Sequence, residues 1–315
     1  MGATRMVSAA GFLFAIASAA SFALSGIFAS ALMSAGWSAG AAATLRIVLA
    51  ALILAAPTAA MLRGRWRLVR AAWRPILLFG LLAVVGAQLA FFLAVQFIPP
   101  SLALLIEFTG PVLLMLWAWA RTRVAPSTVT LLGAVLALAG LVAISGVVTG
   151  GGLHPLGIAL ALVAAVGVAA YYATGAMGDH GIPPLPFVGL GLSVGAVVLI
   201  LVSATGVLPF AVAGDPAIVA GVAIPPWLIV AAMVLLSTVM SYVLGVGASR
   251  RLGATVASFT GYSEPLFGIL WTAALLAGLP TPQQWLGAAL IVAGVVTVKA
   301  GELLRARRRA AAGGR

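Results

Sequence analysis

Three ionisable side chains stand inside long apolar runs of this sequence: Arg46, Glu107 and Glu264. A charge at bilayer depth costs about 2.5–3.5 kcal/mol on insertion scales, so it faces a polar interior and has a partner or a function. Glu107 lies in SLALLIEFTGPVLLMLWAW, residues 101–119, and Glu264 in TVASFTGYSEPLFGILWTA, residues 255–273. The two stretches share a plan: Pro111 falls on Pro265 and Trp117 on Trp271, each 154 residues later. At that shift Glu107 corresponds to Gly261 and Glu264 to Gly110, so the two acids occupy repeat positions three residues apart. Positions i and i+3 share a helix face. Both acids are therefore expected to point into one central cavity, where they would bind protons or amine-bearing solutes.

One arginine neutralises one carboxylate, which leaves the second acid without a partner. Burial disfavours a charged carboxyl, so this acid is expected to be neutral at rest or to ionise when a cationic group arrives. A blander reading is that Arg46 pins helices together through Glu107 or Glu264 while the other acid stays neutral. Pro111 and Pro265 each remove a backbone bond to the residue four earlier, which frees the carbonyls of Glu107 and Gly261. These can kink the helix and offer an acceptor. Gln88, Tyr171, Tyr172, Tyr242, Thr260, Tyr262 and Ser263 lie at similar depth. Gln88, Tyr171, Tyr242 and Tyr262 join the acids and Arg46 as candidates for substrate or proton binding. Trp117, Trp119 and Trp271 are expected to pack or to anchor at the interface.

No catalytic constellation is present: the chain has no GxSxG, no HExxH and no phosphate loop. His154 and His180 fall in predicted loops, and cysteine is absent. No enzyme activity, cofactor or metal site is expected, and disulfides are excluded.

The elements that must position these residues follow from composition. Hydrophobic residues make up 63% of the 315 and charged residues 7%, with a mean hydropathy of +1.23. A soluble chain could not cover its surface with so few charges. Repeated uncharged runs of about 20 residues mean an all-α polytopic membrane protein. Ten spans are expected, near 8–32, 37–60, 75–97, 101–120, 128–148, 157–178, 185–206, 227–247, 254–277 and 282–302. The first begins like a signal peptide, but its apolar run is too long for a typical h-region. At about 1.5 Å per residue, Arg46, Glu107 and Glu264 lie roughly 10–16 Å from a surface.

The loops test this count. With both termini in the cytoplasm, the inward segments hold 16 of the 17 basic residues and the outward segments none. A wrong count would scatter the charges, so the positive-inside bias supports ten spans. The net charge of +12 therefore reflects topology and calls for no nucleic acid, although the basic tail can touch anionic lipid headgroups.

The repeat extends beyond the prolines. At the same shift Ala103 meets Ala257, Pro126 meets Pro280, Gly133 meets Gly287 and Gly140 meets Gly294. A weaker echo pairs Phe22–Gly26 with Tyr171–Gly175. Each half then has five spans, and five is odd, so the second half enters the membrane upside down, as in inverted-repeat transporters. The expected organisation is a first repeat at 1–148, a loop at 149–156, an inverted repeat at 157–302 and a basic cytoplasmic tail at 303–315. The glycines, with the Gly191/Gly195 pair, are read as helix-packing features.

The ten-span inverted repeat with IEFTGP in span four, SEP in span nine and ATLRIVLAALIL around Arg46 resembles the drug/metabolite transporter superfamily, EamA type. It is most similar to the threonine/homoserine exporter group. The resemblance covers nearly the whole chain. It implies export of amino acids or related small metabolites across a bacterial inner membrane, by alternating access around a midplane cavity. One departure stands out. Family members often carry Gly-Glu at the entry to span ten, whereas Gly278 here is followed by Leu279-Pro280-Thr281. Proton coupling is one branch of this expectation. An uncoupled facilitator is the rival within transport, and a membrane scaffold or lipid-handling protein is the rival outside it.

Overall fold

The computed structural model describes the backbone of residues 2–145, 154–178, 180–276 and 279–313, with side chains over 9–145, 154–178, 180–275 and 279–304. In lipid every backbone polar group must be satisfied internally, and the apolar runs duly form helices. The first two crossings are α1 (Gly2–Ser34) and α2 (Ala39–Met61). The third joins α3 (Arg67–Leu78) to α4 (Ala87–Ala94) through a π-helical stretch, Phe79–Gly86. The fourth is α5 (Pro100–Glu107) followed by α6 (Gly110–Thr122), and the fifth is α7 (Thr128–Ser145). In the second half α8 (Pro155–Gly175) and α9 (Pro184–Ala204) precede an eighth crossing of α10 (Pro226–Val234), π-helical Leu235–Met240 and α11 (Ser241–Leu252). The ninth is α12 (Ala254–Thr260) with α13 (Ser263–Leu276), and the tenth is α14 (Pro282–Gly313). Prolines at the first turn of α5, α8, α9 and α10 set φ for helix entry without losing a needed donor.

Among the described residues nine helices are long and apolar enough to cross a membrane. The tenth crossing is α12 with α13, whose pieces are 7 and 14 residues long. Spans four and nine were expected as continuous runs and are instead broken, at Phe108–Thr109 and at Gly261–Tyr262. The cause is local. Neither Pro111 nor Pro265 can donate back into the preceding turn, and a hydroxyl takes over: Thr109 Oγ1 donates to the Ile106 carbonyl at 2.6 Å and Ser263 Oγ to the Thr260 carbonyl at 2.8 Å. All four residues obey the shift of 154, so the two breaks are the same device used twice.

Two further features go beyond the sequence reading. The loop near 207–226, expected to face outward, contains a small antiparallel hairpin, β1 (Ala217–Val219) with β2 (Val222–Ile224). Its two-residue turn, Ala220–Gly221, has positive φ at both positions, which the right-handed twist of the strands favours. The expected basic tail from 303 is helical as far as Gly313, continuous with α14, a conformation on which the sequence reading made no statement. The glycine-rich break at Thr149–Gly152, Asp179 and the departure at Gly278 lie outside the described residues.

Contacts across the pseudo-twofold axis come in mirrored pairs. α7 and α14 cross with Gly133 against the Gly294 carbonyl and Gly140 against the Gly287 carbonyl; an added Cβ would meet those oxygens at 2.7 and 2.6 Å. Overpacking of this kind costs about 1–3 kcal/mol, so these glycines are packing residues, as expected. α2 and α9 pair likewise: Thr44 Oγ1 lies 3.0 Å from Ser203 Oγ, and Thr58 Oγ1 occupies the space beside Gly189. These contacts map the second span onto the seventh with a shift of 145.

Candidate functional site

The two broken helices meet at the centre of the molecule. Phe108 and Tyr262, equivalent residues at the break points, pack edge to face with ring centroids 6.3 Å apart, which places them on the axis. Beside them lies a cavity of about 90 Å³. Glu107, Phe108 and Pro111 line it from the fourth span, Tyr172 and Val168 from α8, and Ser258, Gly261, Tyr262 and Glu264 from the ninth. The cavity therefore brings together both acids, one of the two prolines and one of the predicted tyrosines.

The two carboxylates enter from opposite kinds of helix end. Glu107 is the last residue of α5, whereas Glu264 lies in the first turn of α13. Helix N-termini carry a partial positive charge and C-termini a negative one, so the same side chain meets opposite fields at its two positions. The carbonyl of Gly261, expected to be free, accepts the backbone N–H of Glu264 at 2.9 Å. It is therefore already satisfied.

Arg46 pairs with neither acid. Its Nη1 donates to Ser25 Oγ on α1, and its Nε has no partner among the described residues. Gln88 and Tyr242, which correspond under the shift of 154, are neighbours beside Arg46. The reading of Arg46 as a structural pin through one glutamate is thus replaced by an arginine held by a serine.

Tyr171 belongs elsewhere. Only 7% exposed, it packs in an aromatic cluster with Phe22, Phe79 and Tyr242 at centroid distances of 6.1, 5.7 and 5.6 Å. Its hydroxyl presses on Gly245, where any Cβ would collide with it. The adjacent Tyr172 reaches the acids instead, with its hydroxyl over Gly261. Neighbouring residues on a helix point about 100° apart, so only one of the pair can line the cavity, and the sequence does not say which. Tyr262 is fully buried and its hydroxyl lacks a partner among the described residues. Sequence reasoning also left out Ser25 and Ser258, whose ordinary spacing in apolar runs carries no signal.

The remaining candidates are structural. Trp271 Nε1 donates to the Ala20 carbonyl at 2.8 Å, which ties the ninth span to the first. Trp117 is exposed beneath Arg121. His154 stacks on Phe97 at 4.8 Å. Among the described residues no group of histidine and carboxylate side chains is placed to hold a metal ion.

With this geometry in view, three comparisons place the chain. Residues 9–146 and 155–299 each match the EamA-like transporter family. A curated relative, the uncharacterized inner membrane transporter YicL of Salmonella typhimurium, is 27% identical over 246 residues, 75% of each chain. A solved structure, described only as a crystal structure of a protein, superposes with a TM-score of 0.72 at 18% identity and covers 91% of this chain and 96% of its own. That similarity speaks for the fold alone. The double match, the apolar spans and the paired breaks agree: the chain is a multi-pass inner-membrane protein that belongs to the EamA-like transporter family, a transporter of the drug/metabolite type.

Proposed function

We propose that the chain exports small amine-bearing metabolites, amino acids foremost, by alternating access around the cavity shared by Glu107 and Glu264, in exchange for protons. The observation that carries this reading is the convergence of two acids, neither with an ion-pair partner among the described residues, on one interior cavity. A buried carboxylate without a counter-charge is costly; a proton or a substrate ammonium removes that cost. At about 30 Å³ per water, a cavity of about 90 Å³ holds roughly three waters. In this conformation it admits an ammonium group rather than a whole solute.

The helix ends divide the labour. Glu264, in the first turn of α13, is the anionic site for the amine. Glu107, at the last residue of α5, gives up its proton as the amine enters and regains one after release. Tyr172 and Tyr262 supply hydroxyls to the bound group. The basic loops face the cytoplasm, so the amine leaves from that side and the proton enters from the other. The curated relative's designation as an inner membrane transporter supports translocation.

Proteoliposomes loaded with radiolabelled amino acids, singly, under an imposed pH gradient test this reading. The expected result is gradient-accelerated flux that falls in both Glu107→Gln and Glu264→Gln. Flux unchanged in the two variants would overturn the roles assigned to them, and flux that follows the solute gradient alone would favour the uncoupled facilitator.

A further inference from the structure

A second cavity, of about 640 Å³, opens sideways between the second and eighth spans. Its walls are Leu45, Leu49 and Ile53 on one side and Val230, Val234 and Leu235 on the other, with no charged side chain in the lining. Its volume falls in the range of about 300–1,000 Å³ typical of small-molecule sites. The hairpin loop roofs it through Gly214 and Pro216, and Trp37 Nε1 fixes that roof by donating to the Ala213 carbonyl at 2.7 Å. At its mouth Ile53, Trp227 and Leu235 are 45, 66 and 48% exposed, continuous with the surface that the spans turn to lipid.

The pseudo-symmetric partner of this crevice is the seam between the seventh and third spans, and that seam is shut. Gly80 lies against the Gly191 carbonyl and Val194, where an added Cβ would meet both at 2.7 Å. Gly191 in turn is filled by the Phe79 ring. Under the shifts of 145 and 154 derived above, Gly191 corresponds to Arg46, Val194 to Leu49 and Gly80 to Val234. Where the closed seam has two glycines, the open one has an arginine and a valine. Arg46 turns away to Ser25, but Val234 lines the crevice, so a side chain that would have to vanish for closure is built into the eighth span.

We propose that this crevice is a binding site for one acyl chain of a bilayer lipid. The site is apolar throughout, it opens onto the exposed apolar surface of the spans, and its tryptophans sit at the end nearest the hairpin, where indoles favour the membrane interface. An apolar chain drawn from the adjoining leaflet gains the contacts that the closed seam makes with its own residues. The bound chain props the second span away from the eighth, next to the π-helical stretch that begins at Leu235.

The test uses the full chain in nanodiscs containing a phosphatidylcholine with a diazirine on its acyl chain, followed by peptide mapping of the label. Labelling is expected to be several-fold higher at Leu49 and Val234 than at Leu132 and Val135, which are 57 and 62% exposed on α7. Leu49→Trp, which fills the crevice, and Val234→Gly, which lets the seam close, should each abolish the excess while α7 labels as before. Size-exclusion profiles and α7 labelling show that a variant is folded. Uniform labelling of all lipid-facing positions overturns the proposal, as does an excess that survives both variants. Loss of the excess on adding a mixture of the twenty amino acids would assign the crevice to transported solute and equally overturn it. Loss only on self-association of the chain would assign it to a second copy.

Discussion

The break in span four and the break in span nine use one construction and reach opposite electrostatic ends. Each has a proline, a hydroxyl that caps the carbonyl three residues earlier, and an aromatic ring at the axis. What differs is the side of the break on which the acid stands. Glu107 closes a helix and Glu264 opens one. Terminal dipoles act on a charge by about 0.3–1 kcal/mol at exposed sites and up to about 2 kcal/mol when partly buried. Two carboxylates of identical chemistry are thereby made unequal by a displacement of three residues in the repeat. A symmetric scaffold thus holds an asymmetric pair, which is what a cycle alternating between a proton and an amine requires.

The sharpest way to break this comparison is to neutralise the acids one at a time. Glu264→Gln should lose most solute binding: removing one partner of a buried charged contact costs about 2–5 kcal/mol, roughly 30-fold or more in affinity. Equilibrium binding of the transported amino acid to detergent-purified protein measures it. Glu107→Gln should have a smaller and different effect. Exchange of labelled for unlabelled solute should stay within a few-fold, while acidifying the compartment into which the solute leaves should no longer speed export. If the two variants behaved alike, the helix ends would not distinguish the acids.

Smaller effects should sharpen the symmetry. Tyr262→Phe removes a buried hydroxyl without a partner among the described residues. It should leave stability unchanged or raise it by up to about 1 kcal/mol, with a few-fold loss of transport if that hydroxyl meets the bound group; Tm and flux read the two quantities separately. Smallest, Thr109→Ala and Ser263→Ala each delete one hydroxyl-to-carbonyl bond worth about 0.5–1.5 kcal/mol. Their losses in Tm should be equal. A clear inequality would mean that the two breaks are built alike but loaded differently.

The sequence made the breaks partly legible. Proline and acid within an apolar run announce a perturbed helix, and the shift of 154 pairs the two runs without a gap. Charge in the loops set the number of crossings because lipid tolerates so little of it. Tyr171 and Tyr172 mark where legibility ends. Both are deep, adjacent and chemically alike, and only packing against Phe79 and Phe22 sends Tyr171 away from the acids. The link from Arg46 to Ser25 was hidden for a similar reason, since charge counting pairs an arginine with a carboxylate and overlooks a serine on a neighbouring helix. The hairpin at Ala217–Ile224 was hidden because strands of three residues carry no periodicity.

The crossed glycine contacts of α7 and α14 also say something about ancestry. Gly133 against Gly294 and Gly140 against Gly287 form an interface in which each side presents the same patch to the other, the arrangement by which two identical subunits join. In a pair of separate copies, every change on one side is imposed on both. Joining the copies end to end lifts that constraint, and the chain records the freedom unevenly. Along α7 and α14 the glycines stayed matched. At the seams they did not: Gly191 of the second copy stands opposite Arg46 of the first, and Gly80 of the first opposite Val234 of the second, so the two copies differ where one seam is closed and the other open.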